Sequence, residues 1–159
     1  MEISWGVPMD RRSFPSTVNG YLNQYIQLMD VKATAVAAAA LVLIGLGLSD
    51  QAKTAEPILR ILGIACAAVS SIYALHSVLP RTPHSGDGHI FWADVVGFKN
   101  AEEYWKSIDS LTDEDIGREY ARQNFEVSRI LIKKTRQVRR SITWFGAASL
   151  SFALAVVAN

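Results

Sequence analysis

The stretch of sequence that decides the fold is Ile61 to Leu79, ILGIACAAVSSIYALHSVL. It contains nineteen residues without a charge and is followed by Pro80, where a helix readily stops. At 1.5 Å per residue it covers about 28 Å, close to the hydrocarbon thickness of a bilayer. The stretch therefore predicts a transmembrane helix.

Two further blocks have the same character. Ala33 to Leu48 holds sixteen uncharged residues, and extension through Val31, with Lys32 reaching toward the headgroups, brings it nearer to membrane length. Ile142 to Ala158 holds seventeen. The alternative is that the blocks are buried helices of a soluble bundle. A chain of 159 residues, however, leaves too little amphipathic helix to cover three of them.

The predicted fold class is all-α, an integral membrane helical bundle with three transmembrane helices. The first and third are expected to extend into a small cytoplasmic helical domain. The first thirty residues carry charges without an apolar core, so we expect no cleavable signal there. The segments expected are a cytoplasmic helix at 1–32, transmembrane helices at 33–48, 61–79 and 142–158, and a cytoplasmic regulatory insert at 80–141.

The distribution of lysine and arginine predicts the orientation. With three spans, the N-terminal segment and the insert lie on the same side of the membrane. That side holds fourteen of the sixteen basic residues, and the short connection after the first span holds the other two. Because basic residues favour the cytoplasmic side, the N-terminus is expected in the cytoplasm.

Small residues recur at a spacing of four along the second block. Gly63, Ala67 and Ser71 share one stripe, with Ser70 and Ala74 beside it. Such a stripe lets two helix backbones approach closely. Two interpretations remain open, which are packing of the three helices within one chain and self-association of several chains.

Helix signals outside the spans predict how the cytoplasmic part is built. Residues 14–30 have a helix-start signal at Pro15-Ser16-Thr17 and apolar residues at helical spacing. We therefore expect one helix that runs into the first span. Residues 80–98 are rich in proline and glycine and predict a loop, interrupted at most by a brief helix or strand. Asn100 followed by Glu103 predicts the start of a short helix.

Thr112 with Asp115 repeats that N-terminal signature. No proline follows Asp113, so a single helix of about 45 residues, roughly 68 Å long, is expected from there through the third span. Its first half combines an apolar stripe with a strongly basic face. The stripe consists of Ile116, Tyr120, Val127, Ile130, Leu131 and Val138, and the basic residues are Arg118, Arg122, Arg129, Lys133, Lys134, Arg136, Arg139 and Arg140.

Several of these features together resemble a known family. They are Asp30-Val31-Lys32-Ala33 before the first span, Pro80 after the second, the segment Phe91-Trp92-Ala93-Asp94-Val95, and the helix Tyr120–Arg140 with Lys133-Lys134. Over roughly residues 20–158 the chain resembles the transmembrane effectors of Pycsar antiphage systems.

The resemblance implies a multi-pass protein of the bacterial inner membrane that stays silent until a companion cyclase makes cyclic UMP or cyclic CMP. The effector then compromises the membrane, and the infected cell stops growing or dies. We also expect a homo-oligomer, no cofactor and no nucleic-acid partner. A passive scaffold and a constitutive small channel are the alternative functions.

The insert offers groups suited to a cyclic mononucleotide. The phosphate needs a cation, the base needs an aromatic face, and the base edge needs polar groups such as Asn100, Gln123 and Asn124. Basic residues near a membrane also bind anionic headgroups, and Arg136, Arg139 and Arg140 fit that alternative. The candidate ligand-binding residues are Arg81, Trp92, Lys99, Trp105, Arg118 and Arg122.

Charged residues at the membrane boundary form a second candidate set. A carboxylate beside a span is unfavourable unless it is paired or hydrated, so Asp30 is expected to pair with Arg139 or Arg140. His76, three residues before the end of the second block, is expected to reach the headgroups. Together with Lys32, these residues are the candidate interface or gating residues.

The sequence contains little that predicts chemistry. His84, Asp87 and His89 lie close together without a fourth ligand at a suitable spacing, so a metal site is not expected. Nucleophile elbows, phosphate-binding loops and Cys/His dyads are absent from the sequence, and enzyme activity is not expected.

Overall fold

A computed structural model describes residues 13–50, 55–79 and 88–158. Every regular element within those residues is a helix, which confirms the predicted all-α class. The helices are α1 Phe14–Leu48, α2 Pro57–Val78, α3 Trp92–Val95, α4 Ala101–Asp109 and α5 Asp113–Val157.

Three of these helices, α1, α2 and α5, are long and apolar enough to cross a membrane. The helix α1 has 35 residues and α5 has 45, so at 1.5 Å per residue they measure about 52 and 68 Å. Both lengths exceed the roughly 30 Å of a hydrocarbon core. The prediction that the first and third spans are ends of longer helices is thus confirmed.

The chain divides into two compact units. The first, here called the polar unit, comprises Met1–Tyr25 and Arg81–Ile130. The second, called the apolar unit, comprises Ile26–Pro80 and Leu131–Asn159. Because α1 and α5 pass from one range into the other, each of these helices supplies residues to both units.

The apolar unit buries small residues and exposes large ones. One core cluster joins Ala33, Ala37 and Ala74 to Met29 and Val138, and a second gathers further alanines around Cys66. The exposed faces carry large aliphatic side chains, among them Leu41, Val42, Leu46, Ile61, Leu62, Ile72, Leu75, Leu150 and Leu154. Helices that associate in lipid show this pattern, since small residues allow close backbone approach and lipid solvates the large ones.

Local signals set the helix starts in the polar unit as predicted. The Asn100 side chain accepts a hydrogen bond from Glu103 N at 2.8 Å and caps α4. At the start of α5, Asp115 N donates to Thr112 Oγ1 at 3.2 Å while Thr112 N donates to Asp115 Oδ2 at 3.0 Å. This reciprocal pair is a capping box. The hydrogen bonds from Thr112 hold the pKa of Asp115 below its usual value.

Candidate functional site

Helices α2 and α5 are joined at the centre of the apolar unit by two serines. Ser70 Oγ donates to Ser141 O at 2.8 Å, and Ser141 Oγ donates to Ser70 O at 2.9 Å. Both side chains are fully buried. The paired bonds satisfy two hydroxyl groups that would otherwise be costly in lipid.

The same pairing continues along both helices as an antiparallel contact, which we call the seam. At one end Lys134 Nζ donates to Ser77 O at 2.8 Å, and at the other Glu56 N donates to Ala155 O at 3.1 Å. A seven-residue repeat of this kind is typical of helices that coil around each other. The α5 residues of the seam are Lys134, Ser141, Ala148 and Ala155, and the α2 residues are Cys66, Ala67, Ser70 and Ser77.

Lys134 ties three helices together within the apolar unit. Its Nζ lies 2.5 Å from Asp30 Oδ1 on α1 and also binds the carbonyl of Ser77 on α2. The lysine side chain is only 5% exposed, whereas that of Asp30 is 35% exposed. The ammonium therefore satisfies two acceptors at once in a site where an unpaired charge would be very unfavourable.

The prediction that Asp30 pairs with Arg139 or Arg140 is wrong. Asp30 pairs with Lys134, whereas Arg139 and Arg140 are exposed. The reason is the register of α5: Val138 enters the core beside Met29, and Lys134 is one helical turn earlier on the same face. Arg139 and Arg140 follow Val138 directly and point elsewhere.

The other predicted boundary residues lie on the surface of the apolar unit. Lys32 and His76 are both exposed. The Arg140 guanidinium lies over the Tyr73 ring, 5.7 Å from its centroid. This cation–π contact holds the arginine against α2.

Close packing of α1 against the seam depends on glycine. A Cβ atom built on Gly47 would lie 2.7 Å from Cζ of Phe152, and one on Gly63 would lie 3.0 Å from the same ring. Ser151 Oγ donates to Leu59 O at 2.7 Å nearby. The ring thus fills a space that exists only because α1 and α2 lack side chains there.

The small-residue stripe of α2 is used within the chain. Gly63, Ala67, Ser70, Ser71 and Ala74 are all buried by the neighbouring helices. The first of the two interpretations, packing of three helices in one chain, therefore accounts for these residues. Homo-oligomer formation remains a prediction.

In the polar unit, His89 is the centre of a hydrogen-bonded network that the sequence did not predict. Its Nδ1 lies 2.5 Å from Glu119 Oε1, and its Nε2 lies 2.5 Å from Ser107 Oγ. Glu119 Oε2 also accepts from the His89 backbone N–H at 3.1 Å, and Tyr104 Oη donates to its carbonyl at 2.7 Å. One residue of the connecting segment is thereby attached to both α4 and α5.

This network accounts for His89 without a metal. His84 and Asp87 lie outside the described residues. Within the described ranges, no group of three His, Cys, Asp or Glu side chains is placed to hold a metal ion. Both ring nitrogens of His89 have protein partners.

The candidate ligand-binding residues are distributed over the polar unit. The side chains of Trp92 and Trp105 are 63% and 61% exposed. Arg118 pairs with Glu114 at 2.6 Å. Arg118 also lies one turn before Arg122 on the same face of α5. Lys99 and Arg122 are exposed, and Arg81 lies outside the described residues.

Two polar groups suggested for the base edge already have other roles. Asn100 caps α4. Asn124 donates to Pro15 O at 2.8 Å and accepts from Asn19 Nδ2 at 3.0 Å, which fixes the start of α1 against α5 inside the polar unit. Gln123 is the third of these groups, and it is half-buried.

The sequence signal for the missed residues is faint but readable in one case. Lys134 precedes Ser141 by seven residues, so helical spacing places the two on the same face of α5, and the structure shows that this face is buried. For His89 and Glu119, thirty residues apart, no local periodicity marks the contact.

A comparison with protein families identifies the chain. The model of the Pycsar effector protein domain matches residues 16–159, nearly the whole chain. No curated protein and no solved structure matches the chain. With three helices able to span a membrane, the chain is a multi-pass membrane protein. It belongs to the Pycsar effector family, and its role is that of an antiphage defence effector.

Proposed function

We propose that this effector senses cyclic UMP or cyclic CMP through its polar unit and then disrupts the integrity of the bacterial inner membrane. The observation that carries the proposal is the family match over residues 16–159. In this reading the N-terminus and the polar unit are cytoplasmic, where a companion cyclase releases the nucleotide. The effector itself performs no catalysis.

The surface chemistry of the polar unit supports nucleotide binding. A cyclic mononucleotide carries one negative charge and a flat base. Arg122 and Lys99 are exposed cations, and Trp92 and Trp105 are exposed aromatic rings on which a base can stack. Arg118 is engaged by Glu114 only through an exposed pair, which a phosphate can replace at little cost.

The helix α5 offers a route from nucleotide to membrane. It contributes Arg118 and Arg122 to the polar unit, and Lys134 and Ser141 to the seam of the apolar unit. A ligand shifts a two-state equilibrium only by its difference in affinity for the two states. We propose that the nucleotide favours a state in which the contacts of α5 in the apolar unit are rearranged.

The decisive experiment measures membrane potential. Cells that express the effector with an active cyclase, or with a cyclase inactivated at its catalytic residues, are followed with a potential-sensitive dye. Loss of potential only with the active cyclase supports gating. Loss with both points to the constitutive channel, and no loss with either favours the scaffold and contradicts the proposal.

Direct binding is tested on the purified protein in detergent. A ligand that binds only the folded state must raise its melting temperature. A screen of cyclic mono- and dinucleotides is expected to show stabilisation by cyclic UMP or cyclic CMP. The Arg122→Ala variant should lose that shift, and Lys106→Ala, which removes an exposed cation of α4 paired with Glu102, serves as its control.

A further inference from the structure

We infer that the seam between α2 and α5 becomes the water-facing surface of the membrane-active state, and that small inorganic ions pass along it. The inference rests on the proposed function, because it names the surface that the membrane activity uses.

The seam is the polar surface of an otherwise apolar bundle. Ser70 and Ser141 satisfy each other's hydroxyl groups, and Lys134 is satisfied by Ser77 O and Asp30. The two serine bonds and the bond of Lys134 to Ser77 O require the facing helix, whereas the bond of Lys134 to Asp30 joins α5 to α1. If α2 and α5 move apart in lipid, both serine hydroxyls and the Ser77 carbonyl lose these partners, and exposure of unsatisfied polar groups to hydrocarbon is strongly unfavourable.

The outer faces of the same helices have the opposite character. The side chains of Ile72 and Leu75 on α2 are 66% and 58% exposed, and those of Leu150 and Leu154 on α5 are 61% and 47% exposed. These faces are solvated well by lipid. A rearrangement that separates the seam therefore keeps the outer faces in lipid and requires water on the seam side.

Ser77 gives independent evidence that the seam is suited to water. Its side chain is fully buried, yet among the described residues its Oγ has no hydrogen-bond partner. The neighbouring Lys134 ammonium binds the Ser77 carbonyl and not this hydroxyl. A buried polar group without a partner costs free energy, and a water molecule beside it would remove that cost.

The dimensions of the seam residues are also suitable. Its lining consists of serines, alanines and Cys66, together with the single long side chain of Lys134 at one end. Val138, Phe145 and Phe152 lie beside this row on α5 and also pack against α2, so the opened surface would have a polar strip with apolar side chains at its edge. A passage lined by hydroxyls and an ammonium replaces part of the hydration shell of a small ion.

The test labels single thiols with a charged methanethiosulfonate reagent, which reacts in water and not in lipid or in a packed core. In a Cys66→Ala background, cysteine is introduced by Ser70→Cys or Ser141→Cys on the seam. The matched controls are Ile72→Cys and Ile142→Cys, which lie at nearly the same depth on exposed faces. Spheroplasts with active or inactive cyclase are labelled, and mass spectrometry measures the modified fraction.

The seam thiols are expected to react at least tenfold faster with the active cyclase than with the inactive one, while the control thiols stay unmodified in both. Each variant is first checked for depolarisation by the active cyclase. If Ser70→Cys abolishes depolarisation because the bond to Ser141 is lost, Ser77→Cys is used in place of that variant. The Ser77 hydroxyl makes no bond among the described residues.

Two failures are distinguishable. If the potential collapses while seam thiols remain unmodified, or form disulfide-linked dimers instead, the seam is not the water-facing surface and the inference is wrong although the proposed function stands. If no variant and no parent protein depolarises the membrane, the proposed function and the inference both fail.

Discussion

Lys134 on α5 donates to the carboxylate of Asp30 on α1 across 2.5 Å, inside a bundle whose other core residues are mostly alanines and serines. The same ammonium binds Ser77 O, so three helices meet at one nitrogen. Removing one member of such a buried pair leaves the other uncompensated. The closed arrangement of the apolar unit is expected to depend on this contact.

The Lys134→Ala variant should destabilise the closed bundle by about 3 kcal/mol, at the lower end for a buried pair because Asp30 is partly exposed. In cells it is expected to depolarise the membrane without an active cyclase. Lys133→Ala, which removes an exposed neighbour, should behave as the parent. Equal melting temperatures for the two variants in detergent would show that the contact of Lys134 with Asp30 does not stabilise the bundle.

Gly47→Ala is expected to destabilise the bundle by about 2 kcal/mol, because the added methyl group would overlap the Phe152 ring. Gly45→Ala is the matched control in the same helix, since a Cβ there meets no heavy atom within 4 Å. Thermal unfolding in detergent measures both. The smaller side chain in the double variant Gly47→Ala/Phe152→Leu should recover part of the loss, and an absence of recovery would argue against this packing.

Ser70→Ala and Ser141→Ala should each destabilise the bundle by about 1 kcal/mol, the size found for hydrogen bonds between membrane helices. Each change removes one hydroxyl and leaves the other hydroxyl with its bond, because both acceptors are backbone carbonyls. The double variant should therefore lose nearly the sum of the two, and any coupling comes from the contact of the two Oγ atoms at 3.2 Å. Ser149→Ala supplies the comparison, because the Ser149 hydroxyl donates within its own helix, to Phe145 O. Melting temperatures of Ser70→Ala and Ser141→Ala equal to that of Ser149→Ala would contradict the bonds between α2 and α5.

Glu119→Ala should release His89 from α5, because the carboxylate binds both the ring and the backbone N–H of that residue. Amide hydrogen exchange at His89 is expected to accelerate about tenfold or more, in line with the loss of a hydrogen bond to a charged group. Glu114→Ala removes an exposed carboxylate from the same helix and should leave the rate unchanged. Unaltered exchange in Glu119→Ala would mean that the network does not hold the segment.

The capping box gives a prediction for pH. Because the pKa of Asp115 lies below its usual value, its carboxylate stabilises the folded state above the unfolded pKa, and this stabilisation is lost as the pH falls through the lowered folded value. Thr112→Val should raise the pKa of Asp115 by removing the hydroxyl that accounts for the largest part of the shift. An NMR titration of the Asp115 carboxyl carbon measures it, with Asp109 followed in the same spectra as a reference.

Sequence alone determined the elements of this protein. The uncharged run Ile61–Leu79 is long enough for a bilayer, and the uninterrupted stretch after Asp113 predicted the 45-residue helix that the structure contains. The caps at Asn100 and Thr112 were readable as well. These signals are local: hydropathy, helical spacing and capping act over a few residues, so one chain segment carries each of them.

Tertiary structure alone decided which residues meet. In the sequence, Lys134 is one of many cations on a basic face of α5. In the structure, Val138 lies in the core, and this register of α5 directs Lys134 toward Asp30 and Ser77. Likewise, the sequence places His89 in a predicted loop, and only the structure shows that its ring contacts Glu119. A contact between distant segments depends on helix register, and a rotation of one residue, about 100°, changes the partner without changing the hydropathy pattern that the sequence displays.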